Sequence, residues 1–250
     1  MVIEQQPPGF IIPQWPVAPH VHALVTLRSG GYSSGPYASF NLADHCGDDP
    51  AVVRRNRQLL REHFNLPAEP AWLQQVHSNR IIRVDQGTSG AEADGSWTSA
   101  AGVVCVVMTA DCLPLLICNR DGTRVAAVHA GWRGLHAGVI SNAVTALATD
   151  PAELLVWLGP AIGPQAFEVG PEVVHAFSDR LPENAAAFTR TDEQHWLCDL
   201  YRLARLELAR LGIGSIHGGN LCTYTDSERF YSYRRDGKTG RIASLIWLEH

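Results

Sequence analysis

The sequence predicts a single domain of the mixed α/β (α+β) class over residues 1–250. A length of 250 residues is enough for one large domain, and the 46% of apolar residues can supply a sizeable core. Proline and glycine are spread along the chain as separate turns, without a low-complexity linker or a fixed-period repeat. Apolar runs of strand length occur together with longer stretches of helical character, which is typical of a domain that combines sheets and helices.

The predicted strands are short apolar or β-branched runs that turn-forming residues separate. A turn-rich segment, 28–36, follows the first strand, and the turn 236–240 precedes the last one. A glycine- and proline-rich loop at 159–164 follows the strand before it. In chain order the predicted strands are 21–27, 71–76, 80–84, 103–108, 113–118, 124–128, 154–158, 215–217 and 242–247.

Four helices are predicted from their caps and from the spacing of their apolar residues. Asp49 followed by Pro50 is typical of an N-cap with proline in the first helical position. In the last helix apolar residues recur at helical spacing, and Gly212 is a typical stop. In chain order the predicted helices are 51–64, 135–149, 171–177 and 200–211.

The net charge and the N-terminal segment indicate which kinds of binding partner and which cellular compartment the protein has. The net charge is −5, so the basic patch of a nucleic-acid binder is not indicated. No basic segment followed by an apolar one begins the chain, and Asp111 and Pro114 interrupt the longest apolar stretch, so we predict neither a secretory signal nor a membrane span. Six cysteines without C-x-x-C spacing are expected to be reduced thiols in a cytoplasmic protein. Residues 248–250 resemble the start of a vector-derived tag, and His250 is left out of functional reasoning for that reason.

Three side chains that can bind a metal share one kind of position. His77, Cys112 and His129 are each predicted just beyond an apolar strand, at the start of a turn, where rigid scaffolds often hold reactive groups. Two imidazoles and one thiolate suit Zn²⁺, and three protein ligands leave a fourth position open for water. Taken singly, such a cysteine is more often a small buried hydrophobe and such a histidine an ordinary turn residue, and it is the shared position of the three that raises the metal site to an equal alternative.

A possible anion site follows His129. A strand, a short glycine-containing turn with Arg133 and a helix would present free backbone N–H groups, which favour phosphate or carboxylate. Arg133 could add a bidentate contact, or it could simply be solvated. Arg28, beside a glycine-rich turn, is a second candidate for an anion contact. Because Lys238 is the one lysine and falls in a predicted surface turn, any phosphate contact must come from arginine or backbone N–H groups.

Asp94, Asp111 and Glu168 are candidates for proton transfer, although a turn or surface role is the commoner fate of such residues. The segment 230–235 sets aromatic residues beside two arginines and could bind a planar base and an anion, or form an ordinary sheet edge. The H-x-H pair at 20–22 is expected to share one strand face without a metal.

Five short motifs, at 75–77, 109–114, 128–134, 158–164 and 222–224, match those of a known family. They resemble the bacterial YfiH family, which has been called multicopper polyphenol oxidase or laccase-domain protein and is also described as a purine nucleoside phosphorylase with adenosine deaminase activity. The resemblance extends from about residue 13 to 248. It implies an α/β domain of layered mixed sheets flanked by helices, with zinc on His77, Cys112 and His129.

The resemblance implies phosphorolysis of adenosine, inosine and methylthioadenosine to a free base and a sugar 1-phosphate, and hydrolytic deamination of adenosine. Zinc-activated water would attack the carbon that bears the amino group. Asp111 or Asp94 would carry protons, and Arg133 and Arg28 are hypothetical phosphate contacts. The implied partners are therefore a purine nucleoside and phosphate, without nucleic acid or membrane.

Three other functions stay open. A multicopper oxidase needs about ten histidines, mostly in paired motifs, whereas this chain has one H-x-H, so we interpret any laccase activity as a property of Cu²⁺ bound in vitro. A cysteine hydrolase, such as an amidase that edits peptidoglycan precursors, would use Cys112 as nucleophile and a histidine as base. A binding module with structural zinc would need a fourth ligand, for which His45, Cys46 and Cys222 are candidates.

Overall fold

The structure is a computed structural model that describes residues 7–85 and 87–249, so the N-terminal segment 1–6 and His250 lie outside it. The strands are β1 Phe10–Ile11, β2 Val21–Thr26, β3 Leu73–Gln74, β4 Ile81–Arg83, β5 Ala91–Glu92, β6 Gly95–Thr98, β7 Val104–Thr109, β8 Leu113–Asn119, β9 Val125–Ala130, β10 Leu154–Leu158, β11 Glu168–Val169, β12 Phe188–Arg190, β13 Trp196–Cys198, β14 Ser215–Gly218 and β15 Ile242–Leu248. The α-helices are α1 Pro50–His63, α2 Trp132–His136, α3 Val139–Leu147, α4 Pro171–Ser178, α5 Leu200–Arg210 and α6 Tyr233–Asp236.

Two large sheets organise the fold. One has four antiparallel strands in the order β1-β2-β15-β7. The other has six strands in the order β14-β10-β8-β9-β6-β4 and is mixed, since its two outermost strand pairs are parallel and the inner pairs antiparallel. Smaller sheets join β11-β13-β12 and β3-β5. The mixed α/β class with several sheets flanked by helices is confirmed.

The layers follow from the alternation of side chains along each strand. Along β8, Leu115 and Ile117 pack in the cluster that also contains the apolar faces of α3, α4 and α5, whereas Leu116 and Cys118 pack in the cluster between the two large sheets. The far face of the four-stranded sheet packs against Leu60 of α1. Burial on both faces explains why β7, β8 and β9 carry apolar residues on both faces and only one polar residue each.

The helix predictions are confirmed at 51–64, 171–177 and 200–211. Asp49 caps α1, where its side chain accepts a hydrogen bond from the Ala51 N–H. The prediction of one helix over 135–149 is wrong, because Gly138 has a φ of 86° and separates α2 from α3. Gly138, in the left-handed conformation, lies between α2 and α3 and changes the direction of the chain there.

Two predicted strands differ in extent from those observed. The segment 71–76 contributes only the two residues of β3 to a strand. Strand β9 runs on to Ala130, so His129 lies within the strand and not beyond it, which corrects the prediction. Its backbone N–H donates to the Asp94 carbonyl at 2.7 Å, and its side chain is left for other chemistry.

Leu248 and Glu249 both contact the four-stranded sheet or the residues beside it. Leu248 pairs with Val21 in the four-stranded sheet and is 4% exposed. The Glu249 N–H donates to the His20 carbonyl, and the Glu249 carboxylate lies 2.7 Å from Nε2 of His22. None of the described helices has the length and apolar character needed to cross a bilayer.

Candidate metal centre

Strand pairing brings together two residues that lie seventeen positions apart in the chain. In the antiparallel β8–β9 pair, Leu113 faces Ala130 and Pro114 faces His129. Cys112 immediately precedes β8, so its sulfur reaches the same end of the sheet as the His129 imidazole. His77 lies in the turn after β3, and its backbone φ is 61°. Within the described chain, one group of histidine, cysteine and acidic side chains could hold a metal, namely His77, Cys112 and His129.

The donor atoms of these three residues lie within 4.8 Å of one another. The Cys112 Sγ lies 3.8 Å from the His77 Nε2, and the two imidazole rings meet edge to face with centroids 4.9 Å apart. Tetrahedral zinc, with bonds of about 2.0 Å to nitrogen and 2.3 Å to sulfur, separates neighbouring donors by about 3.5 Å. A small contraction would therefore close the three donors around a metal, and the residues present fit one.

Gly131, which follows strand β9, leaves space for the side chains of Cys112 and His77. A Cβ atom on Gly131 would lie 2.9 Å from the Cys112 Sγ and 3.1 Å from the His77 Cδ2. Real Cβ atoms essentially never show the first of these distances, and the second is tighter than most, so a larger residue would push both donor side chains away. Gly131 is thus the residue that leaves room for the cluster.

The charges of the cluster support one another. Burial opposes a charge on Cys112, but the positive charge of His129 and hydrogen bonds from His129 and His77 outweigh it and lower the thiol pKa from 9.0 to about 6. Burial likewise disfavours the imidazolium of His129, yet the Cys112 thiolate and Asp94 raise its pKa from 6.5 to about 9. Burial would raise the pKa of Asp94, but hydrogen bonds from His129 and Ser78 lower it to about 2. The thiolate, which is the form that binds metals, is therefore favoured.

A cavity of about 580 Å³ opens beside the cluster. This volume falls within the range of small-molecule sites. All three candidate ligands line it, together with Asp111 and the arginines Arg133, Arg234 and Arg241; its apolar wall includes Trp132, Ile162, Phe167 and Leu200. An apolar wall beside a basic one suits a flat, partly apolar ligand that carries or accompanies an anion.

Asp111 lies in this cavity in a strained backbone conformation. Its φ is 92°, which non-glycine residues rarely adopt. Its carboxylate accepts a hydrogen bond of 2.6 Å from the Thr223 hydroxyl and one of 2.7 Å from the Arg234 N–H. Each carboxylate oxygen can accept a further bond. Asp111 is therefore held by two fixed donors and can still contact a ligand.

Arg133 is the arginine of the lining whose charge is least engaged. Its guanidinium lies over the Trp132 ring, 4.5 Å from the centroid, and no described residue accepts a hydrogen bond from it. By contrast, Arg234 donates to the Glu168 carbonyl, and Arg241 donates to two carbonyls of its own turn. The predicted strand, turn and helix around Arg133 are present, although α2 has only five residues.

Other predicted site residues lie outside the cavity lining. Arg28 donates to the carbonyls of Ala38 and Ser227, and its guanidinium lies over the Tyr231 ring. Asp94 is completely buried behind the cluster, where it binds His129. Glu168 is exposed on β11. The structure thus brings Asp111 and Arg133 to the cavity but not these three.

The segment 230–235 divides between core and cavity. Phe230 and Tyr231 are fully buried, so they neither form a sheet edge nor offer a planar stacking surface. Tyr233 and Arg234, in the short helix α6, line the cavity instead. Of the two residues of the H-x-H pair, His20 precedes β2 and His22 lies in it, so they do not share a strand face.

The candidate fourth ligands are not part of the three-donor group. His45 lines the cavity, while the Cys222 sulfur accepts a hydrogen bond from the Gly163 N–H at 3.2 Å. Phe167 and Arg241 are cavity residues that sequence reasoning did not single out. Arg241 follows a predicted turn, and no local pattern distinguishes a basic residue there from a solvated one.

Comparison with known proteins matches nearly the whole chain. The family model described as multi-copper polyphenol oxidoreductase laccase matches residues 22–249. A Shigella flexneri protein named purine nucleoside phosphorylase YfiH is 52% identical over 95% of this chain and 98% of its own length. The corresponding Pseudomonas aeruginosa protein, purine nucleoside phosphorylase PA4543, is 50% identical over 96% of this chain and 99% of its own length.

Solved structures agree with the fold. Neisseria meningitidis protein NMB0706 superposes with a TM-score of 0.93 at 48% identity and covers 96% of this chain and 99% of its own. YlmD from Geobacillus stearothermophilus superposes with a TM-score of 0.89 at 32% identity and covers 97% of this chain and 100% of its own.

Proposed function

The chain belongs to the YfiH-like family whose model is described as multi-copper polyphenol oxidoreductase laccase, and we propose that it is a zinc-dependent purine nucleoside phosphorylase. Its substrates are adenosine, inosine and methylthioadenosine, with phosphate as the second substrate and adenosine deamination as a second reaction. The observation that carries the proposal is an open His–Cys–His group beside a free arginine in one cavity of about 580 Å³. The names of the relatives support the choice of substrate.

Phosphorolysis makes a bond between a phosphate oxygen and C1′ of the sugar and breaks the bond from C1′ to N9 of the base. The electron pair of the broken bond leaves with the purine, which gains a proton. We assign the phosphate contact to Arg133, because the guanidinium of Arg28 is already engaged outside the cavity. The apolar wall formed by residues such as Phe167 and Ile162 would hold the purine.

Deamination replaces the amino group at C6 of adenosine with an oxygen from water. A zinc ion held by His77, Cys112 and His129 would supply a Lewis acid and lower the pKa of a bound water to about 7. We assign proton transfer to Asp111, which lines the cavity, and not to Asp94, which does not. Asp111 would take a proton from the attacking water and return it to the departing ammonia.

All six cysteines are free thiols, and we propose the cytoplasm as the site of action.

Incubation of the purified protein with adenosine and phosphate tests this proposal. Chromatography should resolve adenine and ribose 1-phosphate from phosphorolysis, and inosine from deamination. A chelator should remove both activities, because the cluster then lacks its metal, and added zinc should restore them. Absence of product from every purine nucleoside, in protein shown to contain zinc, would contradict the proposed function.

Replacement of Arg133 with glutamine should weaken phosphate binding specifically. A charge-assisted contact to an anion contributes about 1.5–3 kcal/mol, so the KM for phosphate should rise about 10- to 100-fold. Deamination needs no phosphate and should change little. Initial rates at varied phosphate measure the effect, with Arg54→Gln, an exposed arginine on α1, as the control. An unchanged KM for phosphate would remove Arg133 from the phosphate site.

One observation favours a second candidate, a cysteine hydrolase. The donor atoms of Cys112 and His129 lie within 4.8 Å of each other, and the His129 Nδ1 lies 2.8 Å from an oxygen of Asp94, so a nucleophile, a base and an orienting carboxylate are neighbours. A sulfur that binds zinc is not free to attack a substrate. Rapid alkylation of Cys112 by iodoacetamide in fully zinc-loaded protein would favour the hydrolase and contradict the metal centre.

The family description names a copper oxidoreductase. We propose that copper bound by the same three donors explains this description, so that no separate oxidase function is needed. Copper(II) binds nitrogen and sulfur donors more tightly than zinc does, so contact with copper during purification would load the site. Oxygen consumption with a phenolic substrate should therefore be absent from strictly copper-free protein. Its presence there would contradict this interpretation.

A further inference from the structure

Asp94 lies between β5 and β6 and is completely buried, with no part in the cavity lining. We propose that Asp94 is a positioning residue that assembles the metal centre by orienting His129 and by holding the turn that carries His77. This inference rests on the proposed metal site, but it does not depend on the identity of the substrate. It concerns how two of the three ligands are brought to their places.

Asp94 holds His129 through two contacts. Its Nδ1 lies 2.8 Å from the Asp94 Oδ1, and its backbone N–H donates to the Asp94 carbonyl at 2.7 Å. A carboxylate partner keeps the hydrogen on Nδ1, which leaves the lone pair of Nε2 for a metal. Two contacts to one residue therefore set both the position of the ring and its tautomer.

Asp94 also holds the turn at 76–78, which carries His77. Three consecutive backbone N–H groups donate to the Asp94 carboxylate, from Val76 at 3.3 Å, His77 at 2.9 Å and Ser78 at 2.6 Å. The Ser78 hydroxyl adds a further bond of 2.7 Å. Such a row of N–H groups forms a concave site for an anion. The carboxylate thereby holds His77 in its left-handed conformation, which a histidine would otherwise rarely adopt.

Both effects act through the same atom. The Asp94 Oδ1 accepts from the ring of His129 and from the backbone N–H of His77, so this atom determines the distance between the two histidines. Cys112 has no such contact and is placed instead by the beginning of β8. Loss of the Asp94 charge should therefore disturb the two imidazoles and leave the thiolate in place.

Asp94→Asn tests the inference, because it keeps the size of the side chain and removes its charge. An amide carries two N–H donors of its own and cannot accept bonds from every donor that now surrounds the carboxylate. Zinc affinity, measured by competition with a chelator, should fall about 10- to 100-fold. Glu92→Gln is the matched control, since this exposed carboxylate lies two residues away, and its zinc affinity should equal that of the unaltered protein.

Cobalt(II) gives a readout that a general loss of structure would not reproduce. In Asp94→Asn the thiolate-to-cobalt charge-transfer band of Cys112 should persist, while the visible bands that report the histidine ligands should weaken. If Asp94→Asn does not fold, Ser78→Ala removes one bond to the same carboxylate and should lower zinc affinity several-fold. Unchanged zinc affinity and an unchanged cobalt spectrum in the folded variant would overturn the positioning role.

The same titrations separate this inference from the proposed function. If the unaltered protein binds no zinc, the metal centre itself fails, and the role of Asp94 fails with it. If the unaltered protein binds zinc and Asp94→Asn binds it equally well, only the positioning role fails. Nucleoside turnover enters neither comparison.

Discussion

Replacement of Cys112 with alanine should abolish stable zinc binding and lower both nucleoside phosphorolysis and adenosine deamination by more than about 100-fold. Changes to residues that merely orient a ligand already cost about 10- to 100-fold, and this substitution removes a ligand outright. Two imidazoles would remain, without the negative charge of the thiolate. The metal content of the purified variant and its rate of adenine release measure the two effects.

Cys46→Ser is the control for this experiment. Cys46 is also a partly buried thiol, but it is not a member of the three-donor group, so metal content and rates should match those of the unaltered protein. Retention of zinc and of more than about half the activity by Cys112→Ala would exclude Cys112 as a ligand and as a nucleophile. Loss of both activities with full zinc content would favour a chemical role for the sulfur over a structural one.

Replacement of Asn56 with alanine should destabilise the fold by about 3–4 kcal/mol. Asn56 is fully buried on α1. Its amide donates to the Ser33 hydroxyl at 2.9 Å and to the Asn41 carbonyl at 2.8 Å, and its oxygen accepts from the Tyr32 N–H at 2.8 Å. Alanine would leave these groups without their partner in a space closed to water. Urea unfolding of metal-free protein measures the loss.

Gln58→Ala is the matched control on the same helix. Among the residues that the structure describes, the Gln58 side chain bonds only to Glu62, one turn further on. This contact is exposed, so its loss should cost less than about 0.5 kcal/mol. A cost below about 1 kcal/mol for Asn56→Ala would mean that the loop 31–41 finds other partners easily. Asn56 would then not be the residue that joins this loop to α1.

Local chemistry was enough to predict most of the regular elements. Asp49 and Pro50 marked the beginning of α1, and the run 154–158 was predicted with the bounds of β10. These features depend on residues close in sequence, whose propensities act before any tertiary contact forms. The break at Gly138 was missed because a single glycine inside an apolar stretch is compatible with a continuing helix.

The candidate ligands could be chosen from their types and their positions near strand ends, and the family resemblance pointed to the same three residues. Their mutual distances could not be predicted in this way. Cys112 and His129 meet because β8 pairs with β9 in one particular register. His77 joins them because a buried carboxylate far along the chain binds its turn. Nothing local in the sequence distinguished Asp94, which lies behind the site, from Asp111, which lines it.

The sequence by itself determined the class of the fold, its strands of five or more residues, three of its α-helices and the identity of the residues able to bind a metal. Only the tertiary structure decided which strands are neighbours, which arginine is left free in the cavity and which aspartate supports the ligands. The physical reason is that β7, β8 and β9 are buried on both faces. A strand with apolar residues on both faces carries no alternation to indicate its partner or register, so long-range packing of the two sheets selects both.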